Sequence, residues 1–207
     1  MRVLVACERS GVVRRAFRAK GHEAWSCDIE PADDGSPHHI QGDVLNVLDG
    51  VPWPYYRDSF WPSMPWELMI AFPPCTDLAV SGARWFKDKR ADGRQQQSIE
   101  FAKKLWSAPI EKKALENPVG ILSTEIRKPD QIIQPHQFGH PEFKATFLWL
   151  DGLPKLKPTN QLEIPSPLSR ERETWEVCWR MAPGPERARL RSQTYEGIGQ
   201  AMADQWG

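Results

Sequence analysis

At 207 residues the chain is long enough for one domain with a substantial core, and its 27 basic and 27 acidic residues cancel. That balance excludes attachment to nucleic acid through bulk charge, so any such binding needs a local basic face. The four cysteines (Cys7, Cys27, Cys75, Cys178) are widely spaced with no C-x-x-C pair, which suggests neither a disulfide framework nor a zinc site and fits a reducing cytoplasm. No leader pattern precedes Met1-Arg2-Val3 and no apolar run is long enough for a bilayer, so a cytoplasmic protein without a membrane partner is expected. Ten tryptophans and 19 prolines imply long ordered loops and aromatic rings that fill the core or stack on bases, core filling being the default.

In chain order, Arg2-Val3-Leu4-Val5-Ala6 reads as a buried strand, broken by Ser10-Gly11. The spacing of Val12, Val13, Ala16 and Phe17 predicts a helix over residues 12–20, stopped by Gly21. Residues 23–27 form a second strand candidate that ends in Asp28, completing the β-α-β opening of a doubly wound α/β sheet. The turn before the helix lacks G-x-G-x-x-G, which argues against a dinucleotide pyrophosphate and a Rossmann oxidoreductase. An acidic residue ending the second strand suits ribose hydroxyls, with Asp28 first and Glu30 second, although a solvated strand-end carboxylate has the same sequence. His38-His39 precede a short strand near residue 40; without Cys, Asp or Glu at ligand spacing they read as a surface loop rather than a metal site. Residues 51–65 are expected to be an ordered, proline-rich loop.

The strand expected over residues 66–71 feeds Phe72-Pro73-Pro74-Cys75-Thr76. Two prolines fix φ and forbid a helix, so Cys75 stands on a stiff loop past the carboxyl end of a parallel strand, where open α/β sheets place ligands. A free cysteine is otherwise a small buried hydrophobe. Ala114-Leu115-Glu116-Asn117-Pro118 brings a carboxylate to the same edge, and a nucleophile beside an acid/base residue suggests an active site. The polar stretch after Cys75, with Gly82, is the expected place for a mobile lid. Its Arg84, Lys87, Lys89, Arg90 and Arg94 form either a solvated face or a phosphate clamp. An amphipathic helix (residues 98–107) and a strand (113–115) follow, then strands over 131–134 and 145–150 joined by a loop with His136, His140 and Lys144. Residues 154–185 show no sustained periodicity, and residues 195–206 close the chain as a helix.

Taken together, Pro74-Cys75, Glu116-Asn117-Pro118, the acidic strand end Asp28, Gly42-Asp43 and Tyr195-Glu196-Gly197-Ile198-Gly199-Gln200-Ala201 resemble, in order and spacing, the motifs of the cytosine-C5 DNA methyltransferases. The resemblance spans nearly the whole chain. It implies a Rossmann-like class I methyltransferase fold with a mostly parallel doubly wound sheet. Residues 1–153 and 190–207 would form a catalytic S-adenosylmethionine-binding domain, and residues 154–189 a short Pro/Arg-rich excursion in place of a target-recognition domain. It further implies Cys75 as the nucleophile toward carbon 6 of cytosine, Glu116 at ring N3, and Asn117 and Lys144 in the same machinery. The cofactor would meet Glu8, Ser10 and Gly11 at its methionine end, Asp28 at the ribose, Asp43 at the adenine amine, and Pro73 and Gln200 nearby. Pro74, Arg84 and His140 would face the substrate, with Arg84 or Lys144 favouring the thiolate.

Several residues depart from the family pattern. Ala6-Cys7-Glu8-Arg9-Ser10-Gly11 replaces Phe-x-Gly-x-Gly, Pro118 replaces a valine, and Gln200 replaces an asparagine. No Gln-x-Arg-x-Arg is evident, Lys144 being the closest substitute with His140 in support. In the excursion, Arg170, Arg172, Arg180, Arg187 and Arg189, with Arg191 beyond it, would contact phosphates, which gives affinity more readily than sequence choice. The neutral charge keeps RNA or a free pyrimidine nucleotide open as the substrate, and a non-catalytic binding protein with the same fold is the alternative of another class. A protein partner supplying target recognition would be met by an exposed tryptophan patch drawn from Trp53, Trp61, Trp175 or Trp179.

Overall fold

Val3, Leu4, Val5 and Ala6 are all fully buried, so the strand they form is covered on both faces, as in a parallel sheet. The computed structural model describes residues 1–50, 65–176 and 191–207, with Arg180 and Gly184 besides. The strands are β1 (Arg2–Ala6), β2 (Glu23–Asp28), β3 (His39–Gln41), β4 (Leu68–Ala71), β5 (Lys112–Pro118), β6 (Gln131–Ile133) and β7 (Thr146–Asp151). They form one seven-stranded sheet in the order β3-β2-β1-β4-β5-β7-β6. Pairings among β1 to β5 are parallel, whereas β7 runs antiparallel to both β5 and β6. This is the Rossmann-like, mostly parallel sheet expected from the β-α-β opening.

Alternate residues of β1 point to opposite faces. Val3 and Val5 join Phe17 of helix α1 (Val12–Ala19) and the residues Met202 and Trp206 of the closing helix. Leu4 and Ala6 join Trp25, Met69 and Leu105 on the other side. Among the described residues the other named helices are α2 (Phe86–Ala91), α3 (Arg94–Trp106), α4 (Leu122–Glu125), α5 (Arg170–Thr174) and the closing α6 (Glu196–Trp206). Gly199 lets α6 settle on α1, because a Cβ there would stand 3.1 Å from Val12 Cγ1. Among the described residues no helix is long and apolar enough to cross a membrane.

Parallel pairing puts the carboxyl ends of β1 to β5 along one edge. The register there places the chemistry: β4 ends at Ala71 opposite Leu115, while β5 continues through Glu116, Asn117 and Pro118 against Leu148, Phe147 and Thr146 of β7. The carboxylate is therefore carried on strand backbone, not on a loop.

Three expectations change. His39 is not in a surface loop: it is buried in β3, its Nδ1 2.8 Å from Ser26 Oγ and its Nε2 2.9 Å from the Glu30 carbonyl. The segment after Cys75 is helical, a 3-10 turn (Val80–Trp85) running into α2. Buried Lys89 ties it down, donating to the Thr76 carbonyl and pairing with Asp77 at 3.2 Å, so the stretch is anchored to the cysteine loop rather than hanging from a glycine hinge. Trp175 is buried, packed 5.4 Å from the Phe143 ring, and offers no exposed aromatic patch. Trp53, Trp61, Trp179, Arg187 and Arg189 lie outside the described residues, as do Cys178 and most of the loop expected over 51–65.

Candidate functional site

Beyond β4 the chain crosses the sheet edge as a braced turn. Phe72 N–H bonds the Ala6 carbonyl at 2.9 Å, Pro73 is buried and Pro74 exposed. The Cys75 carbonyl accepts from the N–H groups of Leu78 (3.0 Å) and Ala79 (2.9 Å), which closes the loop behind the thiol. Asn117, at 1 % exposure, donates from Nδ2 to the Pro73 carbonyl at 2.9 Å. The residue after Glu116 thus pins the residue two before Cys75, fixing the two strand ends relative to each other. Among the described residues the buried Asn117 Oδ1 has no partner.

Cys75, Glu116 and Lys144 share one electrostatic neighbourhood. Burial pushes the Cys75 thiol above its ordinary value and Glu116 pushes it further, while Lys144 and Arg191 pull it down. Burial likewise raises the Glu116 carboxyl, opposed by Lys144 and the Thr146 hydroxyl. Lys144 Nζ donates to the backbone carbonyls of Arg191 (2.6 Å) and Gln193 (3.3 Å), and lies 5.5 Å from the centre of the Tyr195 ring. Of the two cations expected near the sulfur, Lys144 is there. Arg84 is instead exposed, its guanidinium 5.1 Å over the Trp85 ring. Arg191, assigned from sequence only to phosphate contacts, takes the second place. No local pattern marked it, because its proximity to Cys75 depends on the way back from the excursion.

At the other end of the edge, Asp28 and Asp43 converge. The Gly42 N–H bonds the Asp28 carbonyl at 2.8 Å, and both carboxylates act on Cys7 and Cys27. Burial is the larger cause there, pushing Cys27 up to about 12 and Cys7 higher still. Asp28 is half-buried with Oδ1 accepting from Glu30 N at 3.0 Å, and Asp43 is exposed with Oδ1 accepting from Leu45 N at 3.0 Å.

Glu8 does not face a ligand space. It is buried and accepts from the N–H groups of Val13 (2.7 Å) and Arg14 (3.2 Å), holding the amino end of α1, and burial pushes its carboxyl up to about 7. Gly11, with φ 70°, leaves room for the Arg14 guanidinium that a Cβ would strike. Arg14 in turn pairs with Asp34, and Arg9 with Glu30 and Asp33, so residues 30–34 are strapped across the turn where a glycine-rich loop was missing. Ser10 and His140 line an open cleft of about 630 Å³ with Arg15, Asp33, Tyr195 and Glu196. His140 Nε2 accepts from Gly197 N–H at 2.9 Å. Gln200 is exposed on α6 and donates to Asp204 at 3.0 Å, turned to its own helix. The expected basic patch is largely spent internally: Lys89 on Asp77, Arg90 on Gln95 at 2.9 Å, Arg94 on Asp92 at 2.7 Å.

No family model matches the sequence, and no curated protein matches it. Among solved structures the chain is similar to one described as a "putative DNA modification methyltransferase" encoded within a prophage of E. coli, at 15 % identity and a TM-score of 0.50. The match covers 79 % of this chain and 52 % of the other, so the chain spans about half the length of that structure. At this identity the likeness is one of fold alone, a Rossmann-like, mostly parallel sheet.

Proposed function

We propose that the protein transfers a methyl group from S-adenosylmethionine to carbon 5 of cytosine in DNA. The observation that carries this is the pinned pair: Cys75 and Glu116 at neighbouring strand ends, fixed by Asn117 on the Pro73 carbonyl, with Lys144 acting on both. The structural neighbour's description as a DNA modification enzyme supports DNA as the substrate. The cofactor fits the same edge. Converging Asp28 and Asp43 suit ribose hydroxyls and an adenine amine, and a cleft bearing both Arg15 and acidic Asp33 and Glu196 suits a zwitterionic amino-acid end. The turn at Glu8 to Gly11, strapped by ion pairs and without a glycine-rich phosphate loop, suits a ligand without a pyrophosphate. When bound, S-adenosylmethionine supplies an electrophilic methyl group for carbon 5.

The chain's own residues make that carbon reactive. Cys75, as thiolate, adds to carbon 6, and carbon 5 becomes enamine-like. Glu116, whose burial favours the protonated carboxyl, donates to ring N3 and stabilises the charge that builds there. Lys144 favours the thiolate. Loss of the carbon 5 proton re-forms the ring double bond and expels Cys75. A base paired inside a duplex cannot reach Cys75, so it is flipped out of the stack.

Trapping tests this chemistry against a binding role. Duplex DNA carrying 5-fluorocytosine, with cofactor, is expected to form a denaturation-resistant adduct with the wild-type chain and none with Cys75→Ala. Tight DNA binding without an adduct would contradict the catalytic reading.

A further inference from the structure

Among the described residues Trp85 is the one exposed tryptophan, at 52 % exposure; Trp25, Trp66, Trp149, Trp175 and Trp206 are buried and Trp106 is half-buried. The buried rings are tied down: the indole N–H groups of Trp66, Trp149 and Trp206 donate to backbone carbonyls at 2.6, 2.6 and 2.9 Å. Among the described residues no such bond holds Trp85, and it joins none of the hydrophobic clusters of the core. Its ring is met instead by the Arg84 guanidinium at 5.1 Å, and it stays half exposed with that cation over it.

The backbone under this ring is fixed. Trp85 ends the 3-10 turn that opens at Val80, whose N–H bonds the Val119 carbonyl at 2.9 Å. Within the turn, a Cβ on Gly82 would stand 3.5 Å from the carbonyl of Thr76, the residue after Cys75. Helix α2 continues directly from Trp85, and its Lys89 donates to that same carbonyl. An open aromatic ring therefore stands on anchored backbone packed against the cysteine loop. Its surroundings are basic: Arg84, Lys87 and Arg90 are exposed, and Asp88 is the one exposed carboxylate of residues 80–90. Among the described residues Arg84 and Lys87 form no salt bridge, so they are what remains of the basic run for an outside partner.

We propose that Trp85, with Arg84 and Lys87 beside it, is a stacking platform for an unpaired base of the DNA strand that enters the Cys75 edge. This rests on DNA as the proposed substrate. An aromatic face ringed by unspent cations matches a base and its phosphates, whereas an apolar protein surface would leave those cations desolvated. Flipping a cytosine toward Cys75 unstacks the strand locally, and a ring fixed next to that loop offers a replacement stack. Stacking on an aromatic ring accepts every base, which suits a chain with only a short segment in place of a target-recognition domain.

The test is fluorescence anisotropy, without cofactor, of labelled oligodeoxycytidine and of an abasic strand of equal length with the wild-type chain, W85A and W85F. W85A is expected to bind oligodeoxycytidine about tenfold more weakly and W85F to regain most of that loss. The abasic strand, with phosphates but no base to stack, is expected to bind all three chains alike. No methyl transfer is read, so a failed reaction on DNA leaves this result unaffected. Equal binding of oligodeoxycytidine by wild type and W85A, an equal loss by W85A on the abasic strand, tighter binding of oligoribocytidine than of oligodeoxycytidine, or no binding of either DNA strand by the wild type would each overturn the proposal.

Discussion

Glu8 and Asn117 show how buried polar groups set this site. Burial pushes the Glu8 carboxyl up to about 7 in the folded chain, from an ordinary value of 4.5. Folding therefore takes up a proton between those values, and the stability linked to Glu8 is fully present below about pH 4.5 and lost as pH rises through about 7. The shift corresponds to about 3 kcal/mol. Glu8→Gln is expected to flatten the fall in unfolding free energy between pH 5 and 8, measured by urea denaturation; wild-type and variant curves that stay parallel would show that the buried carboxyl is not the titrating group. Asn117→Ala should cost about 1–3 kcal/mol, since it leaves the Pro73 carbonyl without its donor. It should also loosen the cysteine loop, raising amide exchange at Thr76 and Asp77; unchanged exchange would mean the prolines alone hold that loop. At this scale Cys75, Glu116 and Asn117 stood out as candidates, because each follows a short apolar run. Glu8 was legible as important but not in its role, since a carboxylate capping a helix and one facing a ligand look alike in sequence.

Strand register and helix docking position the site. Glu116 reaches Cys75's edge because β5 outruns β4 and borrows β7 as its partner. The sequence marked only residues 113–115 of β5, around the apolar Ala114 and Leu115, and not its polar ends, because periodicity marks burial and not hydrogen bonding. The anchoring of the stretch after Cys75 was illegible for a related reason: a lysine in a charged run looks solvated until Asp77 and the Thr76 carbonyl are seen to hold it. Gly197 is an element-scale requirement, since a Cβ there would run into the Phe138 carbonyl at the start of α6. Gly197→Ala is expected to lower stability by about 1–3 kcal/mol and to displace His140, whose ring accepts the Gly197 N–H. A variant with wild-type melting would indicate that α6 can shift without loss.

Across the whole molecule, the chain brings two groups of candidate residues to one sheet edge, Asp28 at the end of β2 with Asp43 just beyond β3, and Cys75 just beyond β4 with Glu116 in β5. Residues 154–176 are fastened to this body by Trp175, which packs on Phe143 and His136 while its carbonyl accepts the Phe143 N–H at 3.0 Å. Trp175→Ala is expected to cost about 3–5 kcal/mol and to open that segment to proteolysis ahead of the sheet. Simultaneous digestion of both would mean that the segment and sheet unfold as one unit. The doubly wound sheet was readable from the first thirty residues, whereas the convergence of Lys144 and Arg191 on Cys75 was not. They are 47 positions apart, and only the return of the chain from the excursion joins them.

The proposed reaction is methyl transfer to carbon 5 of cytosine through Cys75. Incubation with methyl-labelled S-adenosylmethionine and, separately, duplex DNA, single-stranded DNA, RNA and pyrimidine nucleotides tests it most directly, with Cys75→Ala as the control. Label is expected on carbon 5 of cytosine in duplex DNA and is expected to be lost in Cys75→Ala. Label that persists in the variant, or that goes to RNA or nucleotides and not to DNA, would contradict it.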